Sequence, residues 1–336
     1  VTIQTAVQAS DAIARYRSLS LLNVALAQPT VVKERRAVTT ATPAIGASLD
    51  YFTWEWQGHS IRYTAVGTGQ PLLLIHGFGA SIGHWRKNIP VLAAAGYQVF
   101  AVDLLGFGGS DKPAIAYTLE QWEALLYDFW QQHIQRPTVW IGNSIGGLLA
   151  LMLMAHHPET ARGGVLLNCA GGLNHRPEEL NWPLRTVMQL FNNVVCSPAF
   201  GPLMFNQVRR KSRIRETLKQ VYCDRTAITD ELVDLLYEPS CDPGAQQVFA
   251  AILSAPPGPR PTELLPHIQQ PLLVLWGEAD PWTPIAGSKI YQDLANQPDT
   301  EPSVQFQAIA KTGHCPHDER PEQVNPAIIN WLNTLG

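Results

Sequence analysis

Two kinds of hydrophobic pattern alternate along most of this chain. Short runs of unbroken apolar residues, bounded by Gly, Pro or Asp, fall at Leu72 to Ile75, Val99 to Val102, Val139 to Ile141, Gly164 to Leu167, Leu272 to Trp276 and Val304 to Phe306. Unbroken apolarity, rather than alternation, predicts strands buried on both faces, as in a parallel sheet. Before them, Tyr51 to Trp56 and Ile61 to Val66 flank Gln57-Gly58-His59, which predicts a hairpin. Helical stretches separate most of the runs. Strand-helix alternation with right-handed crossovers predicts an α/β architecture with a mostly parallel central sheet and helices on both of its faces.

One interval breaks this rhythm. Residues 174–261 offer no strand candidate, only helical periodicity, and are expected to form an inserted helical cap between two core segments, 49–173 and 262–336. Leu184, Val187, Met188, Phe191 and Val194 or Val195 share one helical stripe. Asp230 is expected to cap a helix over Leu232 to Tyr237, and Asp242-Pro243 to open one over Gly244 to Ser254. Residues 1–48 differ again, with two acids (Asp11, Glu34) and a basic cluster at Lys33, Arg35 and Arg36. They read as an N-terminal arm or leader, either a helix with a linker or an organelle-targeting segment.

Composition narrows the classes of function. The chain has 336 residues, 46% hydrophobic and 15% charged, enough for a large core. A net charge of -4 gives none of the basic surface that a nucleic-acid partner needs. The five cysteines (Cys169, Cys196, Cys223, Cys241, Cys315) are scattered and never two residues apart, so neither a zinc site nor a redox pair is expected, and a reducing compartment fits. No metal or cofactor is expected. The apolar stretch Val139 to Ala155 is interrupted by Asn143, Ser144 and three glycines and reads as strand, turn and helix rather than as a membrane span.

The sharpest chemical signal is Gly142-Asn143-Ser144-Ile145-Gly146 between a strand and an apolar helix. A serine lifted onto a strained strand-to-helix turn needs residues without side chains two before and two after it, and then presents its hydroxyl as a nucleophile. Such a hydroxyl needs a base, and the base an orienting acid. In the order Ser, acid, His, the candidates are Ser144, Asp280 after the strand Leu272 to Trp276, and His314 after the last strand. Glu278 and His317 are the weaker rivals for the last two roles. For the developing oxyanion, the backbone amides of Ile145 and of Phe78, in His76-Gly77-Phe78-Gly79, are the candidate donors.

These motifs resemble the α/β-hydrolase superfamily over roughly residues 50–336. His76-Gly77-Phe78-Gly79-Ala80-Ser81 with His84-Trp85-Arg86-Lys87-Asn88, the run Asp103 to Pro113, Gly142 to Gly147, and Gly313-His314-Cys315-Pro316-His317-Asp318 are similar to the chlorophyll dephytylases of plants and cyanobacteria, relatives of pheophytinase. The resemblance implies a serine hydrolase that releases phytol from chlorophyll-type pigments without an added metal, at or near photosynthetic membranes. It would be cytoplasmic or thylakoid-associated in a cyanobacterium and chloroplast-located in a plant. A generic carboxylesterase or lipase-like enzyme of another lipophilic ester, and a ligand receptor without turnover, are the alternatives. Phe78, Trp182, Phe191 and Phe205 are the candidate contacts for a lipophilic substrate. The basic cluster Arg209 to Arg215 beside Pro198 to Phe205 is either a solvated helix face or a peripheral membrane contact.

Overall fold

The computed structural model describes residues 49–174, 176, 182, 186, 195–197, 199–297 and 301–336. The expected N-terminal arm and most of the Leu184 to Val194 stripe lie outside the described residues; Val195, at the end of that stripe, is buried.

Eight strands form one sheet: β1 (Phe52–Trp56), β2 (His59–Val66), β3 (Gln70–Ile75), β4 (Tyr97–Val102), β5 (Thr138–Asn143), β6 (Ala161–Leu167), β7 (Leu272–Gly277) and β8 (Val304–Ile309), in the order β1-β2-β4-β3-β5-β6-β7-β8. The β1/β2 and β2/β4 pairs are antiparallel and all the others parallel. The hairpin closes on the two-residue turn Gln57-Gly58, both with positive φ, which matches the twist of the flanking strands.

The unbroken apolar runs have their expected cause. Successive side chains point to opposite faces, and both faces are covered. Leu73, Ile75, Trp140, Leu166 and Val274 pack with helices α2 (Leu119–Phe129), α3 (Ile145–His156) and α8 (Lys289–Ala295). Leu72, Leu74, Val139, Ile141 and Val165 pack with α1 (Ile89–Ala94) and α9 (Pro321–Leu332). Val304 to Phe306 departs from the expected pattern. It belongs to an edge strand whose Gln305 and Gln307 are exposed, so it is not buried on both faces.

The cap contributes α4 (Gly201–Val208), α5 (Lys211–Val221), α6 (Asp230–Tyr237) and α7 (Ala245–Leu253), and no strand among the described residues. Two expected helix starts are corrected. Thr229, not Asp230, caps α6, its hydroxyl accepting from the Leu232 N–H, and Asp230 sits in the first turn, where an acid favours the helix dipole. Helix α7 begins at Ala245 after Gly244 at φ 88°, so Asp242-Pro243 precede the helix instead of opening it.

Candidate active site

Strand β5 ends at Asn143, α3 begins at Ile145, and Ser144 between them has φ 57° and ψ -121°, a backbone region that L-residues rarely occupy. Sterics explain the two flanking glycines. A Cβ at Gly142 would lie 2.1 Å from the Gly146 backbone, and one at Gly146 would lie 2.2 Å from the Ile75 carbonyl oxygen. Ser144 N–H donates to the Leu167 carbonyl at 3.0 Å, and the Ser144 carbonyl accepts from Ala170 N–H at 3.1 Å, so strand β6 and the loop after it hold the turn.

The geometry brings His314 and Asp280 together. Both are 4% exposed, and His314 Nδ1 lies 2.6 Å from Asp280 Oδ2. With its proton on Nδ1, the ring leaves Nε2 as the free basic nitrogen. The same carboxylate oxygen accepts from Asn168 Nδ2 at 2.7 Å and from the Thr283 hydroxyl, while Oδ1 accepts from Trp282 N–H at 2.7 Å. Burial pushes the Asp280 carboxyl up, but the His314 contact, Thr283 and the Trp282 amide together outweigh it and hold the group below its ordinary value. Asn143, beside Ser144, donates from Nδ2 to the His314 carbonyl at 2.9 Å and to the Leu167 carbonyl at 3.0 Å, tying the elbow to the loop that carries the imidazole.

Ser144, Ile145, Phe78 and His314 line one cavity of about 1430 Å3 between core and cap. A Cβ at Gly77 would lie 3.3 Å from Ser144 Cβ, so the loop bearing Phe78 runs directly beside the serine. His76 fixes that loop. Its Nε2 accepts from Leu104 N–H at 3.0 Å, which leaves the proton on Nδ1 to donate to the Gly77 carbonyl at 2.8 Å. Burial lowers the affinity of the His76 ring for a second proton. The rivals take other places: Glu278 is exposed, and His317 is fully buried against Trp85, ring centroids 4.1 Å apart.

Of the candidate substrate contacts, Phe78 and Phe205 line the cavity, and Phe191 lies outside the described residues. Trp182 is corrected. It is 80% exposed and does not line the cavity, because an apolar residue in a cap can face outward as readily as inward. Residue composition missed three neighbours. Phe249 bridges Phe78 (6.1 Å between centroids) and Phe205 (5.4 Å), Trp282 lies 5.4 Å from the His314 ring, and Asn168 holds the acid. The position of Phe249 on a predicted helix and of Asn168 at the end of a strand were the available signals.

The model of the alpha/beta hydrolase family matches residues 72–327. The chain belongs to the alpha/beta hydrolase family. As a family member with this elbow it is a hydrolase. It is 26% identical to chloroplastic pheophytinase of Arabidopsis thaliana, over 87% of this chain and 68% of that protein. It is 28% identical to the 2-hydroxy-6-oxo-6-(2'-aminophenyl)hexa-2,4-dienoic acid hydrolase of Metapseudomonas resinovorans, over 82% of this chain and 88% of that protein. A crystal structure of a serine hydrolase involved in carbazole degradation superposes with a TM-score of 0.68 at 25% identity, covering 85% of this hydrolase and all of that chain.

Proposed function

We propose that this hydrolase cleaves the phytyl ester of chlorophyll-type pigments, by nucleophilic attack of Ser144. The observation that carries the reading is the cavity above the serine. At about 1430 Å3 it exceeds the volume a drug-sized ligand fills, and its wall is mainly apolar, with Phe78, Val248, Phe249 and Ile252 facing the site. A C20 alcohol esterified to a tetrapyrrole is an occupant of that size and polarity. The similarity to pheophytinase and the motifs around His76, Ser144 and His314 support the same substrate class.

In this reading, the Ser144 hydroxyl attacks the ester carbonyl as His314 Nε2 takes its proton. Asp280 holds the imidazole by Nδ1 and stabilises the imidazolium. The N–H groups of Phe78 and Ile145 receive the oxyanion, a donor worth about 3 to 4 kcal/mol at the barrier. Collapse breaks the ester bond, His314 returns its proton to the departing alcohol, and water releases the acid from the acyl-enzyme by the same steps. Access from a membrane surface fits a lipophilic ester, and exposed Phe200 and Leu203 beside Arg210 and Arg213 support peripheral contact with an anionic photosynthetic membrane.

The test offers chlorophyll a, pheophytin a and a short aryl ester separately and measures release of phytol or phenol. Phytol release from a pigment is expected, and Ser144→Ala abolishes all turnover while keeping the fold. Rapid cleavage of the aryl ester alone retires the pigment substrate, and a fully active Ser144→Ala variant overturns the nucleophile.

A further inference from the structure

The peptide unit that carries the base is strung between cap and core. His314 N–H donates to the carbonyl of Val221, the last residue of cap helix α5, at 2.8 Å, while the His314 carbonyl accepts from Asn143 of the core at 2.9 Å. The approach on the cap side is close enough that a Cβ at Gly313 would lie 1.9 Å from the Val221 oxygen.

The next cap residues continue the attachment. The buried Tyr222 hydroxyl donates to Asp318 Oδ2 at 2.9 Å. It has one proton, so His84 Nε2, 2.8 Å away, is the donor in their contact. Tyr222 therefore joins the loop after β3 to the segment just past His314. Asp224 N–H donates to Glu319 Oε1 at 2.7 Å, the other Glu319 oxygen accepts from Gly313 N–H at 2.8 Å, and the Asp224 carboxylate pairs with Arg320 at 2.6 Å. Cys315 is buried in the cap's own apolar cluster with Leu218, Val221, Tyr222 and Leu232. Helix α5 also lines the cavity, through Ile214, Thr217 and Leu218.

We infer that the cap strap Val221 to Asp224 is a positioning device for the catalytic base, with Tyr222 as its central positioning residue. The inference rests on the reading that His314 is the base. The cap of this hydrolase then does more than wall the cavity: it completes the site, and a loosened strap lets the imidazole drift from the serine even when the substrate is too short to touch the cap.

A short ester such as nitrophenyl butyrate separates this from substrate contact. In Tyr222→Phe, kcat is expected to fall roughly tenfold, since an ångström-scale misplacement costs up to about a hundredfold, with KM held within about twofold. Asp224→Asn should move kcat the same way by less, and carries the test if Tyr222→Phe does not fold. Val233→Ala, which thins the same apolar cluster but removes none of the strap's hydrogen bonds, should melt earlier and keep its kcat. Folded Tyr222→Phe and Asp224→Asn with wild-type kcat, or Val233→Ala losing as much kcat as Tyr222→Phe, overturns the strap. Ser144→Ala is run alongside. If it is inactive while the strap variants are fully active, only the strap inference falls; if it is active, the triad reading falls too.

Discussion

Around Ser144 an added methyl group at Gly142 or Gly146 would land within 2.2 Å of backbone atoms, whereas on the cap the side chains of Phe200 and Leu203 stand 62% and 65% exposed. The elbow is specified by what cannot be there. The outer face of the cap, by contrast, sets no such steric condition at Phe200 and Leu203, and many residues would be accommodated there. Steric exclusion leaves a mark in sequence because it permits few residue types at fixed offsets. Packing by bulk hydrophobicity leaves only periodicity.

The largest expected effect tests the first half of that contrast. Gly146→Ala places a Cβ 2.2 Å from the Ile75 oxygen and 2.8 Å from the His76 oxygen, and both neighbours are backbone that cannot move aside. A loss of stability of more than about 3 kcal/mol, with loss of esterase activity, is expected in thermal or denaturant unfolding. Gly287→Ala, where the added carbon meets nothing within 4 Å, should stay within about 0.5 kcal/mol. Equal effects of the two substitutions would remove the distinction between elbow and surface.

The seam between core and cap comes next. Burial pushes the His84 imidazole down to about 4, against a weaker upward pull from Asp318, with Arg86, His76 and His314 adding to the fall. Burial likewise holds His317 well below its ordinary value, and neither of its ring nitrogens has a partner. As pH falls, the unfolded chain protonates these rings first, near 6.5, so acid favours unfolding. Stability from His84 is complete above about 6.5 and is lost progressively down to about 4, by ~3 kcal/mol. Melting temperature followed between pH 7 and pH 4 should drop steeply, and His84→Gln should flatten the slope. An unchanged slope in the variant would mean that His84 is not the buried neutral ring described here.

Asn168 should matter less. Asn168→Ala removes a donor to Asp280 and leaves Gly277 N–H without the side-chain oxygen it now meets at 2.9 Å, costing about 1 to 3 kcal/mol. Asp280 sits below its ordinary value in the fold, so its contribution is present above about 3.9, the unfolded carboxyl value, and is lost as pH falls through the folded value. With one donor gone that separation narrows, and the variant should lose less stability than wild type between pH 6 and pH 2. A larger acid loss in Asn168→Ala would show that Asn168 does not support the ionised carboxylate.

The same contrast explains what sequence reading reached. The strand runs other than β8 and the strand-turn-helix elbow were legible, since each rests on local geometry or on unbroken apolarity over a short span, and the structure brings Asp280 and His314, both singled out by their places after strands, into contact. The edge position of β8 was not, because Val304 and Phe306 look like core residues until the sheet order is known. Asn168 escaped notice because its partner lies 112 residues away in sequence. The outward face of Trp182 and the inward place of Phe249 depend on how cap helices rotate, and a stripe of mixed apolar residues does not fix that rotation.

The smallest expected effect lies on the cap surface. Phe200→Ser and Leu203→Ser remove side chains that are already mostly in water, so each should change unfolding free energy by less than about 0.5 kcal/mol. In a chain this size about 1 kcal/mol moves the melting temperature by only a few degrees, so the two variants should melt with wild type and hydrolyse a short ester at the wild-type rate. If either melted several degrees lower, the side chain would be packed in solution, the cap would be as closely specified as the elbow, and its residues would have to be read by steric fit instead of by apolar content.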